Sequence, residues 1–274
     1  MRNSGSVSQP RGIFGFTEEE FRRNHNSFGP GRISVIGLGP GSLDLLTPQA
    51  RQVLEESQVI AGYRTYLDLI PEYLDGKEVI GTGMMQEVER CEAALKEAIA
   101  GKTVSVVSSG DSGVYGMAGL VLELALALKP EERPLVEIIA GISAVNGAAA
   151  LLGAPLMHDF AVISLSDLMT SWEVIEKRIQ MAAEGDFVTS FYNPKSKKRT
   201  WQIEKVQEIF LAHRSPETPV GIVRQAYREG QSIVLSTLAE FTKEEIDMFS
   251  LVMIGNSRTF SKDGFMVTPR GYTI

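Results

Sequence analysis

Two glycine turns carry the residues best suited to hold a small ligand. The first, Gly37-Leu38-Gly39-Pro40-Gly41-Ser42, ends an apolar run at residues 33–36 and precedes a helix-start signal at Thr47 and Pro48. The second, SSGDSGVYGMAG at residues 108–119, follows the apolar β-type run TVSVV at residues 103–107. Glycine admits positive φ and lets a ligand approach the backbone, and the helix N-termini beyond such turns offer unpaired N–H groups. A pair of these turns at the carboxyl ends of parallel strands predicts one shared small-molecule crevice. The first turn lacks the third glycine of a dinucleotide fingerprint, and neither turn ends in the Gly-Lys-Ser/Thr of a phosphate-binding P-loop.

Other chemistries find little footing. His25, His158 and His213 are scattered without ligand spacing, so no zinc or other metal site is expected. The single cysteine, Cys91, excludes an internal disulfide framework and a cysteine-based metal cluster. A net charge of −7 over 274 residues argues against nonspecific nucleic-acid binding, while 43% hydrophobic and 22% charged residues are those of a globular protein. One basic run, Lys195, Lys197, Lys198 and Arg199, reads either as a solvated loop or as a grip on an anionic ligand. No apolar run reaches the roughly 18 residues of a membrane span, and no apolar leader segment is seen, so a cytoplasmic protein is expected.

The elements that must position the turns alternate along the chain. Strands are predicted at residues 33–36, 58–61, 78–80, 103–107 and 136–139, with helical patterns at 86–100 and 117–128. In the helix that opens at Pro48, Thr47 is the cap and Ala50, Val53 and Leu54 share one face. The small-residue stretch AGISAVNGAAALLGAP at 140–155 reads as a turn and a closely packed helix. Alternation then resumes with strands at 161–165, 187–191, 220–223, 232–235 and 251–254 and helices at 172–183 and 198–212. A short connection around Glu229 and Gly230 predicts a hairpin and hence a mixed second sheet. The expected organisation is an N-terminal extension (1–30), an α/β domain (31–142), a junction (143–157) and a second α/β domain (158–274), with no internal repeat.

Six ordered segments, GLGPGS at 37–42, SSGDSGVYGMAG at 108–119, AGISAVNGAAALLGAPLMHDFAVISLSD at 140–167, FYNPKSKKR at 191–199, GIVRQA at 221–226 and VMIGNSRT at 252–259, resemble the tetrapyrrole methylase family. The resemblance is strongest to its precorrin-3B C-17-methyltransferase branch, in cobalamin biosynthesis. It implies two α/β/α domains with S-adenosylmethionine folded between them, S-adenosylhomocysteine as the product, a tetrapyrrole substrate in a neighbouring trough, and a homodimer. It implies methylation at C-17 with ring contraction of precorrin-3B or its cobalt counterpart. Methylation at C-11 or C-20, or a noncatalytic tetrapyrrole- or nucleotide-binding module, are the alternatives.

Carried onto this chain, the resemblance assigns the cofactor's methionine side to Leu38, Gly110, Asp111, Ser112, Gly113, Val114, Tyr115, Ser143 and Ala144. Tyr192, Val223, Arg224, Ile254 and Gly255 would surround the adenosine. Gly39, Pro40, Gly41 and Ser42 would face the tetrapyrrole, whose carboxylates call for cations such as Arg64, Lys195 and Lys197. The branch usually has proline where this chain has Ser112 and Ala140, which makes both turns less rigid here. No catalytic acid or base is singled out: Asp44, Tyr115, His158 and Asp159 each have a turn, packing or capping reading as well.

Overall fold

The computed structural model describes residues 30–273. The expected N-terminal extension, with His25, lies almost wholly outside the described residues. Two units emerge. One comprises residues 30–36, Arg51–Ser108 and Met117–Ile139; the other comprises Gly37–Ala50, Ser109–Gly116 and residues 140–273.

The first unit is built on strands β1 (Arg32–Gly37), β2 (Val59–Tyr63), β3 (Glu78–Thr82), β4 (Thr103–Ser108) and β5 (Leu135–Ile139) in the order β3-β2-β4-β1-β5. The β1–β5, β2–β3 and β2–β4 pairs are parallel. Alternation decides which face each residue serves. Ile33, Val35, Val59, Ala61, Val104 and Val106 pack in one cluster with Cys91, Ala94 and Leu95 of a helix at Glu87–Ile99 and with Val121 and Ala125 of one at Ala118–Leu126. Residues of the intervening parity, Ile36, Ile60 and Val107, are also buried, as expected of a parallel sheet covered on both faces. In chain order α1 is Pro48–Glu56, α2 Arg64–Leu67, α3 Glu87–Ile99 and α4 Ala118–Leu126.

The second unit holds α5 (Ala144–Leu152), β6 (Gly153–Ala154), β7 (Phe160–Ser164), α6 (Trp172–Glu184), β8 (Val188–Tyr192), α7 (Gln202–Leu211), β9 (Pro219–Arg224), β10 (Ser232–Thr237), β11 (Ser250–Ile254), β12 (Phe260–Lys262) and β13 (Phe265–Val267). Its main sheet runs β10-β9-β11-β8-β7, with only β7–β8 parallel among the pairs β9–β10, β9–β11, β8–β11 and β7–β8. One face, with Phe191, Ile222, Val252 and Ile254, packs on Ile175, Ile179, Val206 and Phe210 of α6 and α7. The other, with Val188, Val223, Leu251 and Met253, packs on Val145, Ala148 and Leu152 of α5.

Three details differ from the sequence expectations. The helix expected from residue 198 starts at Gln202, because Ser196 and Arg199 close a separate turn through Ser196 N to Arg199 O (2.8 Å) and Arg199 N to Ser196 Oγ (3.1 Å). The β9–β10 hairpin is real, but its connection spans residues 225–231, with positive φ at Gln225, Tyr227 and Gly230. The strands β6, β12 and β13, two or three residues each, form a small additional sheet that no periodicity announced.

Candidate functional site

The first glycine turn and residues Ser109–Gly116 of the second belong to the second unit, together with the Ala140-Gly141-Ile142-Ser143 step. They are joined directly: Gly39 N donates to Gly110 O (2.9 Å) and Gly110 N to Gly39 O (2.7 Å). Such reciprocal pairing fixes the two backbones in one register. A Cβ at Gly37 would lie 2.6 Å from Gly110 O and 2.8 Å from Gly141 N, and a Cβ at Gly141 would lie 2.6 Å from Gly37 O and closer still to Gly110 O. Three bare backbones therefore converge where side chains are sterically excluded. Gly110 itself sits at φ +70°, with the space beside it bounded by Ala144 N at 3.4 Å from an ideal Cβ.

Asp111 holds this cradle together. Its Oδ1 accepts from Gly113 N (2.8 Å) and its Oδ2 from Gly141 N (2.9 Å), so the carboxylate closes an Asx turn and ties the second turn to the third. Ser112 is fully buried beneath it, and Gly113 and Tyr115 face outward, with Val114 between them half-buried. Tyr115 takes φ +55°, and its hydroxyl donates to Val162 O (3.2 Å).

The first turn of α5 follows Ser143, whose side chain does not cap it. The cap comes from elsewhere: Tyr192, the last residue of β8, accepts from Val145 N through its Oη (2.9 Å). The Tyr115 and Tyr192 rings stand 5.2 Å apart at 57°, forming an aromatic wall beside the cradle. Burial pushes both phenol pKa values up. Both tyrosines are therefore neutral hydrogen-bonding groups here.

Strand register sorts the remaining sequence-nominated residues. Val223 is buried against α5, two positions of β-sheet away from Tyr192, and Arg224 pairs with Ser250 at the same end of β9. Arg224 is engaged by Asp247 (2.8 Å) and Glu245 (3.2 Å), and the Asp247 bond raises its pKa. Ile254 pairs with Val220 and Thr189, which puts Ile254 and Gly255 at the opposite end of the sheet from Tyr192 and Arg224. Four residues of strand at ~3.3 Å each separate the two ends. The structure thus brings Leu38, Gly39, Gly110 to Tyr115, Ser143, Ala144 and Tyr192 together, and does not bring Ile254 and Gly255 to them. The antiparallel course of β11 is the reason.

Of the substrate-side nominees, Gly39 and Pro40 are buried and Gly41 and Ser42 half-buried, with Ser42 Oγ accepting from Asp44 N (3.2 Å) to cap a short 3-10 turn. Lys195 is half-buried and Lys197 exposed, whereas Arg199 of the same run is buried and donates to Asn193 O (2.8 Å). Burial lowers the Arg199 pKa. Arg64 is exposed on α2 of the first unit. His158 and Asp159 line a separate cavity of about 560 Å³ with Phe160, Phe187 and Arg270. Among the described residues there is no group of His, Cys, Asp and Glu able to hold a metal, and no helix long and apolar enough to cross a membrane.

One residue at the turns was invisible in the sequence. Arg228, in the β9–β10 connection, donates through Nε to Pro40 O (2.8 Å) and through Nη2 to Ser109 Oγ (2.6 Å), touching both glycine turns at once. Its only signal was its place two residues past the GIVRQA segment.

The family model described as Tetrapyrrole (Corrin/Porphyrin) Methylases matches residues 32–242. A cobalt-factor III methyltransferase of Priestia megaterium is 53% identical over 244 residues, covering 88% of this chain and 45% of the relative. The chain thus spans less than half the length of that relative. A probable cobalt-factor III C(17)-methyltransferase of Salmonella typhimurium is 49% identical over 88% of this chain and 100% of its own length. Among solved structures, the methyltransferase CobJ is 39% identical with a TM-score of 0.82, covering 87% of this chain and 100% of that one.

Proposed function

The chain belongs to the tetrapyrrole (corrin/porphyrin) methylase family, and on that premise we propose that it transfers a methyl group from S-adenosylmethionine to C-17 of precorrin-3B or its cobalt counterpart, with contraction of the ring. The observation that carries the cofactor part is the convergence of Gly37, Gly110 and Gly141, where a Cβ on any of the first and last would collide with backbone. The named activities of the 49–53% identical relatives support the substrate.

The residues present fit such a cofactor. A bare backbone cradle beside the first turn of α5 lets an amino-acid moiety approach the main chain closely without side-chain crowding, and the Tyr115–Tyr192 pair offers an apolar wall. S-adenosylmethionine, when bound, supplies a methyl group already activated on a sulfonium. The chain's own task is then alignment and exclusion of water, worth several orders of magnitude without any covalent nucleophile. Gly110 and Asp111 through Tyr115, with Leu38, Ser143 and Ala144, hold the methionine end, and Tyr192 and Val223 border the adenosine. Gly41 and Ser42 face the macrocycle, whose carboxylates Lys195 and Lys197 meet. The working form is a cytoplasmic homodimer, for which light scattering is the check.

Calorimetric titration with S-adenosylhomocysteine tests the cofactor, and saturable one-to-one binding is expected. Absence of binding by the folded protein removes the transferase reading. Incubation with successive corrin intermediates and mass spectrometry tests the position, and methyl gain only on an earlier or later intermediate removes C-17.

A further inference from the structure

We propose that Arg228 is a positioning residue of the ligand site, a strap that holds the first glycine turn against the second at the spacing the cofactor requires. The inference rests on the cradle being the S-adenosylmethionine site. Its Nε donates to Pro40 O (2.8 Å) and its Nη2 to Ser109 Oγ (2.6 Å), so one rigid guanidinium bridges two turns far apart in sequence. A planar fork can serve two acceptors at a fixed angle, which a lysine ammonium on a flexible stem does not.

The surroundings are shaped for this side chain from both directions. In the connection that carries it, Gln225 (φ +49°) and Tyr227 (φ +59°) occupy the left-handed region, a conformation that persists only where the structure over-determines it. That determination is visible: Gln225 N donates to Phe249 O (3.0 Å), Arg228 N to Gln225 O (3.0 Å), and Tyr227 N to Gln231 Oε1 (2.7 Å). From the opposite side, Gly41 is not among the glycines with positive φ, so its backbone does not demand glycine. Its neighbour does. A Cβ there would fall on Arg228 Cγ and 2.8 Å from Nε. Gly147 on α5 completes the fit, its ideal Cβ lying 3.3 Å from Pro40 and 3.4 Å from Tyr227.

Two different substitutions therefore attack one contact. Arg228→Ala removes the strap, and Gly41→Ala displaces it. Titration calorimetry with S-adenosylhomocysteine on the wild type, Arg228→Ala, Arg228→Lys, Gly41→Ala and the Arg228→Ala/Gly41→Ala pair, with thermal midpoints alongside, is the experiment. Affinity should fall about tenfold in each alanine variant, with Arg228→Lys recovering only part. In the double variant the second change should add nothing, because the space beneath Gly41 has been vacated. Full additivity, or affinities within twofold of wild type in folded variants, overturns the proposal. Arg228→Lys and Gly41→Ala carry the same test where Arg228→Ala does not fold. Hydrogen exchange at the Gly39 and Gly110 amides separates this inference from the functional reading. If wild type binds no cofactor, the functional reading falls, while unchanged protection of those amides in the Arg228 variants independently overturns the strap.

Discussion

At the scale of single residues, the cradle is made by what is missing. Gly110→Ala puts a side chain at φ +70°, a strain of ~1–2 kcal/mol for an L-residue. Gly110→Val adds a branched side chain to the same space, and calorimetry should show cofactor binding abolished in the folded variant; unchanged affinity would contradict the placement. Gly141→Ala is expected to be worse for folding than for binding, because its Cβ would strike the Gly37 and Gly110 backbones. Tyr192→Phe keeps the ring and deletes the acceptor for Val145 N, so denaturant titration should show a loss of about 1–2 kcal/mol. The glycines and Asp111 were legible in the sequence because turn chemistry is local: positive φ and Asx geometry depend on a few neighbouring residues. Arg228 was not, since the target of a long side chain in a loop is set by tertiary structure alone. Tyr192 was nominated for a ligand, yet its cap on α5 across 47 residues could not be read from spacing.

At the scale of elements, each long strand and most helices follow directly from apolar periodicity, and the departures have local causes. Ser196 and Arg199 stop α7 from starting early, and β11 reverses the position of Ile254 because its direction is fixed by pairing with β8 and β9. The family resemblance groups Ile254 and Gly255 with Tyr192, whereas strand direction, which carries no sequence signature of its own, puts them at the other end of the sheet. Arg214 fastens several ends at once: its guanidinium reaches the carbonyls of Ala182, Phe187 and Gly255, pairs with Asp186 (3.4 Å) and stacks 4.7 Å over Phe210. Arg214→Met should cost about 3 kcal/mol or more by orphaning these groups, and Arg214→Lys should recover little of it. In α3, burial pushes the Cys91 thiol up to about 11 from 9.0. The unfolded chain therefore loses this proton first, so the contribution of Cys91 is full below pH 9.0 and declines as pH rises toward 11. Urea titrations across that window should show stability falling by up to ~1.4 kcal/mol per pH unit from this group, a slope that Cys91→Ala removes.

At the scale of the whole molecule, the alternation of strands and helices announced two α/β units and a mixed second sheet, while their interleaving was hidden. The turns after β1 and β4 cluster with the second unit through the Gly39–Gly110 bridge and the Asp111–Gly141 bond. Those contacts join segments separated by tens of residues, so no window of sequence reports them. The family, by contrast, was legible from six ordered motifs, because backbone-defined ligand sites constrain residue type at many positions together. Methyl transfer to the macrocycle is the central claim. Incubating the purified protein with S-adenosylmethionine carrying a ¹³C-labelled methyl and with precorrin-3B or its cobalt counterpart, followed by NMR of the product, tests it most directly. One labelled methyl at C-17 of a ring-contracted macrocycle is the predicted result; no label on the macrocycle, or label at C-11 or C-20, would contradict it.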